Sequence, residues 1–110
     1  MTLLQQMADD RTRHREALRQ ATREQLRAVL AQVIPAQTAI VFGSLLKAGD
    51  FSEASDIDLA LAHEPSDMTI YQLTSVLAER MGRRVDVVVL PECRFRDRIL
   101  REGETWMPQA

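Results

Sequence analysis

Three aspartates and a Gly-Ser pair carry most of the chemistry this sequence can do. Asp56 and Asp58 stand two apart in DIDLALA, an alternating segment of the kind that forms a strand. Residues two apart in a strand share a face, with Cα atoms about 6.5 Å apart. The two carboxylates therefore project together, while Ile57, Leu59 and Leu61 project oppositely into a core. Ala60 and Ala62, on the carboxylates' own side, are expected to leave room above the sheet. Two adjacent carboxylates repel each other unless a cation intervenes. A pair of Mg²⁺ ions roughly 3.5–4 Å apart would relieve that repulsion, and in-line phosphoryl transfer uses such a pair. Asp86 interrupts the apolar run VDVVVL, where a charge is costly unless it is paired or bound to metal. If the two strands are neighbours, three carboxylates converge, and one of them can accept a proton from an attacking hydroxyl. Gly43-Ser44 directly follows the run TAIVF. The glycine permits a tight turn and close approach of backbone amides to a phosphate, and Ser44 adds a hydroxyl donor. Lys47 supplies a positive charge for that phosphate.

Each of these residues also has a plainer role. Asp56 and Asp58 can be solvent-facing residues at a strand entrance, and Asp86 can be a salt-bridge partner of Arg83 or Arg84. It is the combination with Gly43-Ser44 that points to a nucleotide site. His14 and His63 lack ligand-spaced neighbours and read as surface residues. Cys93 has no paired base in view and reads as structural. Arg11, Arg15, Arg19, Arg23 and Arg27 recur every four residues and form a slowly drifting ridge on a helix. That ridge is either a solvated face or a docking surface for an acidic partner or nucleic acid.

The elements that must position these residues follow from periodicity and punctuation. Leu3 to Ile34 reads as one helix, with Leu18, Ala21, Ala28 and Val29 recurring at three- and four-residue steps, joined by Leu26, Leu30 and Val33, and Pro35 as its stop. Its first half is more polar, suited to fraying or to packing on a partner. Thr38 to Phe42 is a strand, Leu45 to Ser55 a loop with room for one helical turn, and Asp56 to Ala62 a second strand. Ser66 or Asp67 is expected to cap a helix carrying Ile70, Leu73, Leu77 and Met81, ended by Gly82. Val85 to Leu90 is a buried strand, Phe95 to Arg101 a short helix, and Thr105 to Met107 an edge strand. The fold class is α/β (α+β), a small mixed sheet flanked by helices. It is one domain over residues 1–110, with an N-terminal helix (1–34) and a core (38–103).

In that order and those strand contexts, FGSLLKAGDFSEASDIDLAL followed by VDVVVL resembles the minimal nucleotidyltransferases of the DNA polymerase beta superfamily. RDRILREG is similar to that family's C-terminal helix. The resemblance covers about residues 38–103. It implies that Gly43 and Ser44 bind a triphosphate, that Asp56 and Asp58 ligate metal, and that Asp86 completes the second metal site and acts as base. It further implies transfer of AMP from ATP, with Mg²⁺, to a hydroxyl, commonly a tyrosine, of a HEPN-domain toxin whose RNase activity is thereby blocked. The chain would then be an antitoxin in a hetero-oligomer with that toxin. The family commonly places Arg just after Gly-Ser, whereas here Lys47 is the only cation in Leu45-Leu46-Lys47-Ala48-Gly49. Two alternatives therefore stand beside the protein adenylyltransferase: an antitoxin that neutralises by contact alone, and a nucleotidyltransferase acting on a small molecule such as an aminoglycoside.

The totals agree with this and exclude other classes. At 110 residues, 45% hydrophobic and 27% charged, the chain is an ordinary globular length and composition. A net charge of -2 argues against a nucleic acid as direct ligand. The charge is uneven, since residues 1–34 hold six Arg against four acids while the remainder is acidic. One cysteine precludes an intramolecular disulfide and a Cys-based zinc cluster. The start MTLLQQMADD lacks the pattern of a signal peptide and no run is long enough to span a bilayer, so a cytoplasmic protein is expected. So short a chain leaves no second domain to form an acceptor pocket, which a partner protein is expected to supply.

Overall fold

The computed structural model describes residues 1–107. Helix α1 (Leu3–Val33) is followed by β1 (Ala39–Phe42), a 3₁₀ turn over Gly43–Leu46, and β2 (Ile57–Leu61). Then come α2 (Ile70–Met81), β3 (Val85–Val89), a second 3₁₀ turn over Leu90–Glu92, α3 (Arg96–Glu102) and β4 (Glu104–Trp106). The expected order of elements is found, with boundaries shifted by one or two residues. The strands form one mixed sheet in the order β3-β2-β1-β4, with β2 and β3 parallel and the other neighbours antiparallel.

The period of two in each strand divides the molecule into two layers. Ala39, Val41, Ile57, Leu59, Leu61 and Val85 join the larger core beneath α1 and α2. Ile40 and Ala60 face the other way, against Ile99 of α3 and Leu90. Burial of Leu26, Leu59, Leu61, Leu73 and Leu77 is complete. Full burial of an aliphatic side chain contributes about 1.5–3 kcal/mol, so this layer fixes the sheet against its helices.

Four sequence expectations change here. On α1 Leu26, Val29 and Leu30 are buried and Leu18 partly buried as expected, but Thr22 joins the seam while Ala21 and Ala28 face solvent. Thr22 is tolerated in the seam because its hydroxyl donates to Leu18 O at 2.7 Å. Neither Ser66 nor Asp67 caps α2. Thr69 does, accepting from Gln72 N at 3.1 Å while Gln72 Oε1 accepts from Thr69 N at 2.9 Å. Ala60 does not leave open space, since α3 covers it. The arginine ridge is neither a solvated face nor a docking surface along its whole length, because its second half packs on the chain's own body. Arg19 donates to Leu45 O, Arg23 pairs with Glu104 at 2.7 Å, and Arg23 and Arg27 lie over the Trp106 ring.

Residues 1–15 are all exposed, so the first half of α1 projects from the body, which gives the molecule a long axis of 55 Å against 28 and 25 Å. Its N-terminus carries a reciprocal cap between Thr2 and Gln5. No helix of the described residues is long and apolar enough to cross a membrane.

Candidate active site

The sheet register gathers the aspartates. Phe42 of β1 stands opposite Asp58 of β2, and Asp58 stands beside Asp86 of β3. Because β2 and β3 run parallel, Asp58 and Asp86 point to the same face, the one that α3 only partly covers. Asp56 lies just before β2, and is delivered there by a pinned loop. Phe51 is buried within that loop, the Arg83 guanidinium lies 4.7 Å over its ring, and the same arginine donates to Ser52 O and Ser55 O. Arg83 is thereby occupied and is not the partner of Asp86.

Arg84 takes that part instead. Its Nε is 3.3 Å from Asp86 Oδ1 and 3.9 Å from Asp56 Oδ2. The Asp86 side chain is 44% exposed, so the expectation of a charge held inside an apolar strand is corrected. β3 is an edge strand, and the face carrying Asp86 opens to solvent at this end. Arg84 is itself 73% exposed. An ion pair so exposed is worth about 0–1 kcal/mol, too little to keep a better cation away.

Asp58 is the deepest of the three carboxylates. Burial, then the charges of Asp86 and Asp56, raise its pKa above the ordinary aspartate value, and Arg84 only partly offsets this. The one guanidinium of Arg84 therefore falls short of balancing the three acids. Among the described residues no three carboxylate, imidazole or thiolate groups are drawn close enough to grip one ion as they stand. The donor set of hard carboxylate oxygens, only partly compensated by Arg84, nonetheless fits a hard divalent cation such as Mg²⁺.

Gly43 begins the 3₁₀ turn at a φ of 80°. A Cβ at that position would overlap Asp58 Oδ2 and approach the carboxyl carbon to 3.3 Å. Only glycine allows the turn and the carboxylate to sit so close. Ser44 lies within the turn, and its carbonyl accepts from Lys47 N at 3.0 Å.

A cavity of about 450 Å³ opens beside this cluster, within the size range of small-ligand sites. Gly43, Lys47, Asp58 and Asp86 are on its wall, and Ser44 and Asp56 are not. Sequence reasoning missed the α3 side of the wall, which brings Phe95, Arg98, Ile99 and Glu102. Arg98 adds a second cation, paired with Glu102 at 3.1 Å. The four-residue spacing of Arg98 and Glu102 signals a helical pair, but nothing local in the sequence says which layer that helix covers.

Comparison with known proteins identifies the family and the fold. The family model described as polymerase beta, nucleotidyltransferase, matches residues 24–107. A crystal structure of the toxin-antitoxin MntA-HepT is similar at 23% sequence identity and a TM-score of 0.55, over 80% of this chain and 72% of that one. A crystal structure of a toxin-antitoxin with AMP-PNP is similar at 26% identity and a TM-score of 0.58, over 78% of this chain and 73% of that one. No curated protein matches the chain.

Proposed function

The chain belongs to the polymerase beta nucleotidyltransferase family, and from that premise we propose that it is an antitoxin transferring AMP from ATP, with Mg²⁺, to a tyrosine hydroxyl of a HEPN-domain toxin. The observation that carries the reading is the register of Phe42, Asp58 and Asp86 across three adjacent strands, with Gly43 against the Asp58 carboxylate at the mouth of a cavity. The toxin-antitoxin complexes with the same fold support a protein acceptor, as do the exposed Leu3, Leu4 and Met7 on the projecting end of α1. The reading treats residues 1–110 as a single nucleotidyltransferase domain.

In this mechanism Gly43, through its backbone amide, and Ser44 hold the triphosphate, and Lys47 neutralises part of its charge. Asp56, Asp58 and Asp86 would hold the magnesium ions, which supply charge neutralisation of the phosphates when bound. The acceptor oxygen forms a bond to the α-phosphorus as the bond to the β-phosphate bridging oxygen breaks. Pyrophosphate leaves, and the hydroxyl proton passes to the Asp86 carboxylate. Phe42 and Val88 supply apolar surface beside these carboxylates.

One observation favours a second reading, an antitoxin that acts by contact alone: Arg84 spans Asp56 and Asp86, and the three acids are not drawn into one closed ligand set. A single experiment separates the two. The chain is incubated with ATP, Mg²⁺ and the protein encoded by the adjacent reading frame, and both proteins are weighed by mass spectrometry. AMP added to the partner, and lost with Asp56→Ala and Asp58→Ala, is the expected result. An unmodified partner held tightly by those same variants would establish the contact-only antitoxin.

A further inference from the structure

The α3 side of the cavity has no assigned task in phosphate or metal binding. Phe95, which precedes α3, lines the cavity yet remains 63% exposed. Val88, Cys93, Ile99, Phe42 and Leu46 line the same cavity. None of the twelve lining residues carries an amide or hydroxyl side chain. The lining thus divides into charged groups (Asp58, Asp86, Lys47 and the Arg98–Glu102 pair) and an apolar set that includes an exposed aromatic ring. A nucleoside triphosphate has the same division, with charge concentrated at the phosphates and a flat ring at the opposite end.

We propose that Phe95 is the shelf on which the base of the substrate nucleotide stacks. The inference rests on the nucleotidyltransferase reading above, and it names a base subsite within it. Every nucleobase offers a π-face to an aromatic ring, and stacking needs no hydrogen-bonding partner. The ring's exposure then has a reason, because the base covers it on binding. Tyr71, the other strongly exposed aromatic residue among those described, lies on α2 and does not line this cavity.

The test is a calorimetric titration of the full chain, in Mg²⁺, with two probes. One is α,β-methylene-ATP, which cannot release pyrophosphate, and the other is inorganic tripolyphosphate, which has no base. Phe95→Ala should weaken the nucleotide about tenfold and leave tripolyphosphate within about twofold. Phe95→Trp should retain the nucleotide affinity of the unaltered chain. Because Phe95 is exposed, thermal melts of both variants should match the unaltered chain. Undiminished nucleotide affinity in Phe95→Ala would overturn the shelf and leave the nucleotidyltransferase reading intact. Equal weakening of both probes, unrescued by Trp, would also overturn it, by assigning Phe95 to the shape of the cavity. An unaltered chain that binds neither probe would remove the shelf and the nucleotidyltransferase reading together.

Discussion

At Asp58, burial and the neighbouring charges of Asp86 and Asp56 all oppose ionisation. A carboxyl whose pKa is raised by folding weakens the folded state once it ionises, and the penalty disappears as pH falls toward the raised value. Asp58→Asn removes the charge at constant shape. It should raise Tm at pH 7 by about 2–5 °C, with the gain shrinking on acidification, as followed by thermal melts at several pH values. Millimolar Mg²⁺ should stabilise the unaltered chain by mass action and should leave this variant's Tm unmoved. At Gly43 the cost has two sources, a φ of 80° and overlap with Asp58. A side chain in the left-handed region costs about 1–2 kcal/mol, and the displaced carboxylate adds a functional loss. Gly43→Ala should lower the rate of AMP transfer by more than about tenfold while the chain still folds, measured by radiolabelled AMP incorporation and far-UV dichroism. The sequence showed both residues because their signals are local. Phe95 and Arg98 were invisible as wall residues, since their place depends on which face of the sheet α3 covers.

Among the elements, local signals placed the strands and the C-terminal cap of α2 but not its N-terminal cap. The strands are found within a residue or two of their expected bounds, and Gly82 closes α2 as expected, with a φ of 66°. Thr69 and Gln72 are themselves a readable capping pair, and the adjacent Ser66 and Asp67 drew the expectation away from it. Thr69→Ala should cost about 0.5–2 kcal/mol, visible as a lower urea midpoint, whereas Ser66→Ala should cost almost nothing. Phe51 gave no signal, because its burial depends on Arg83, thirty-two residues later in the chain. The two halves of α1 differ for a related reason. An isolated helix of this length is marginal in water, and residues 1–15 have little besides their own hydrogen bonds and the exposed pairing of His14 with Glu53. Amide exchange should be fast through Arg15 and slow from Thr22 onward. Equal protection along the whole helix would show that the projecting end is covered in solution.

Across the whole molecule, β4 is held from both sides, by β1 in the sheet and by Arg23 and Arg27 of α1. Glu104 accepts from Arg23 and from Trp106 Nε1, both at 2.7 Å. The Arg23 hydrogen bond, against the opposing effect of burial, keeps the Glu104 pKa below the usual glutamate value. Arg19 does the same for Glu16, whose pKa falls to about 2. A carboxylate with a lowered pKa stabilises the fold above its unfolded value, near 4.3 for glutamate, and loses that contribution as pH falls through the folded one. Stability should therefore hold between neutrality and about pH 5 and decline below about pH 4.3. Glu104→Gln should lower Tm at pH 7 and flatten that decline, as read from melts at pH 7, 4.5 and 3. This latch was not legible in the sequence, where the arginine ridge looked alike along its length. Its separation of 81 residues also carries a kinetic consequence. A contact that far apart must close a large loop before it contributes anything. During synthesis, α1 would leave the ribosome long before Glu104 exists, with Arg23, Arg27 and one side of its apolar seam waiting for the strand they clamp. The slowest folding step should thus be the docking of β4, and variants at Arg23 should accelerate unfolding more than they retard folding.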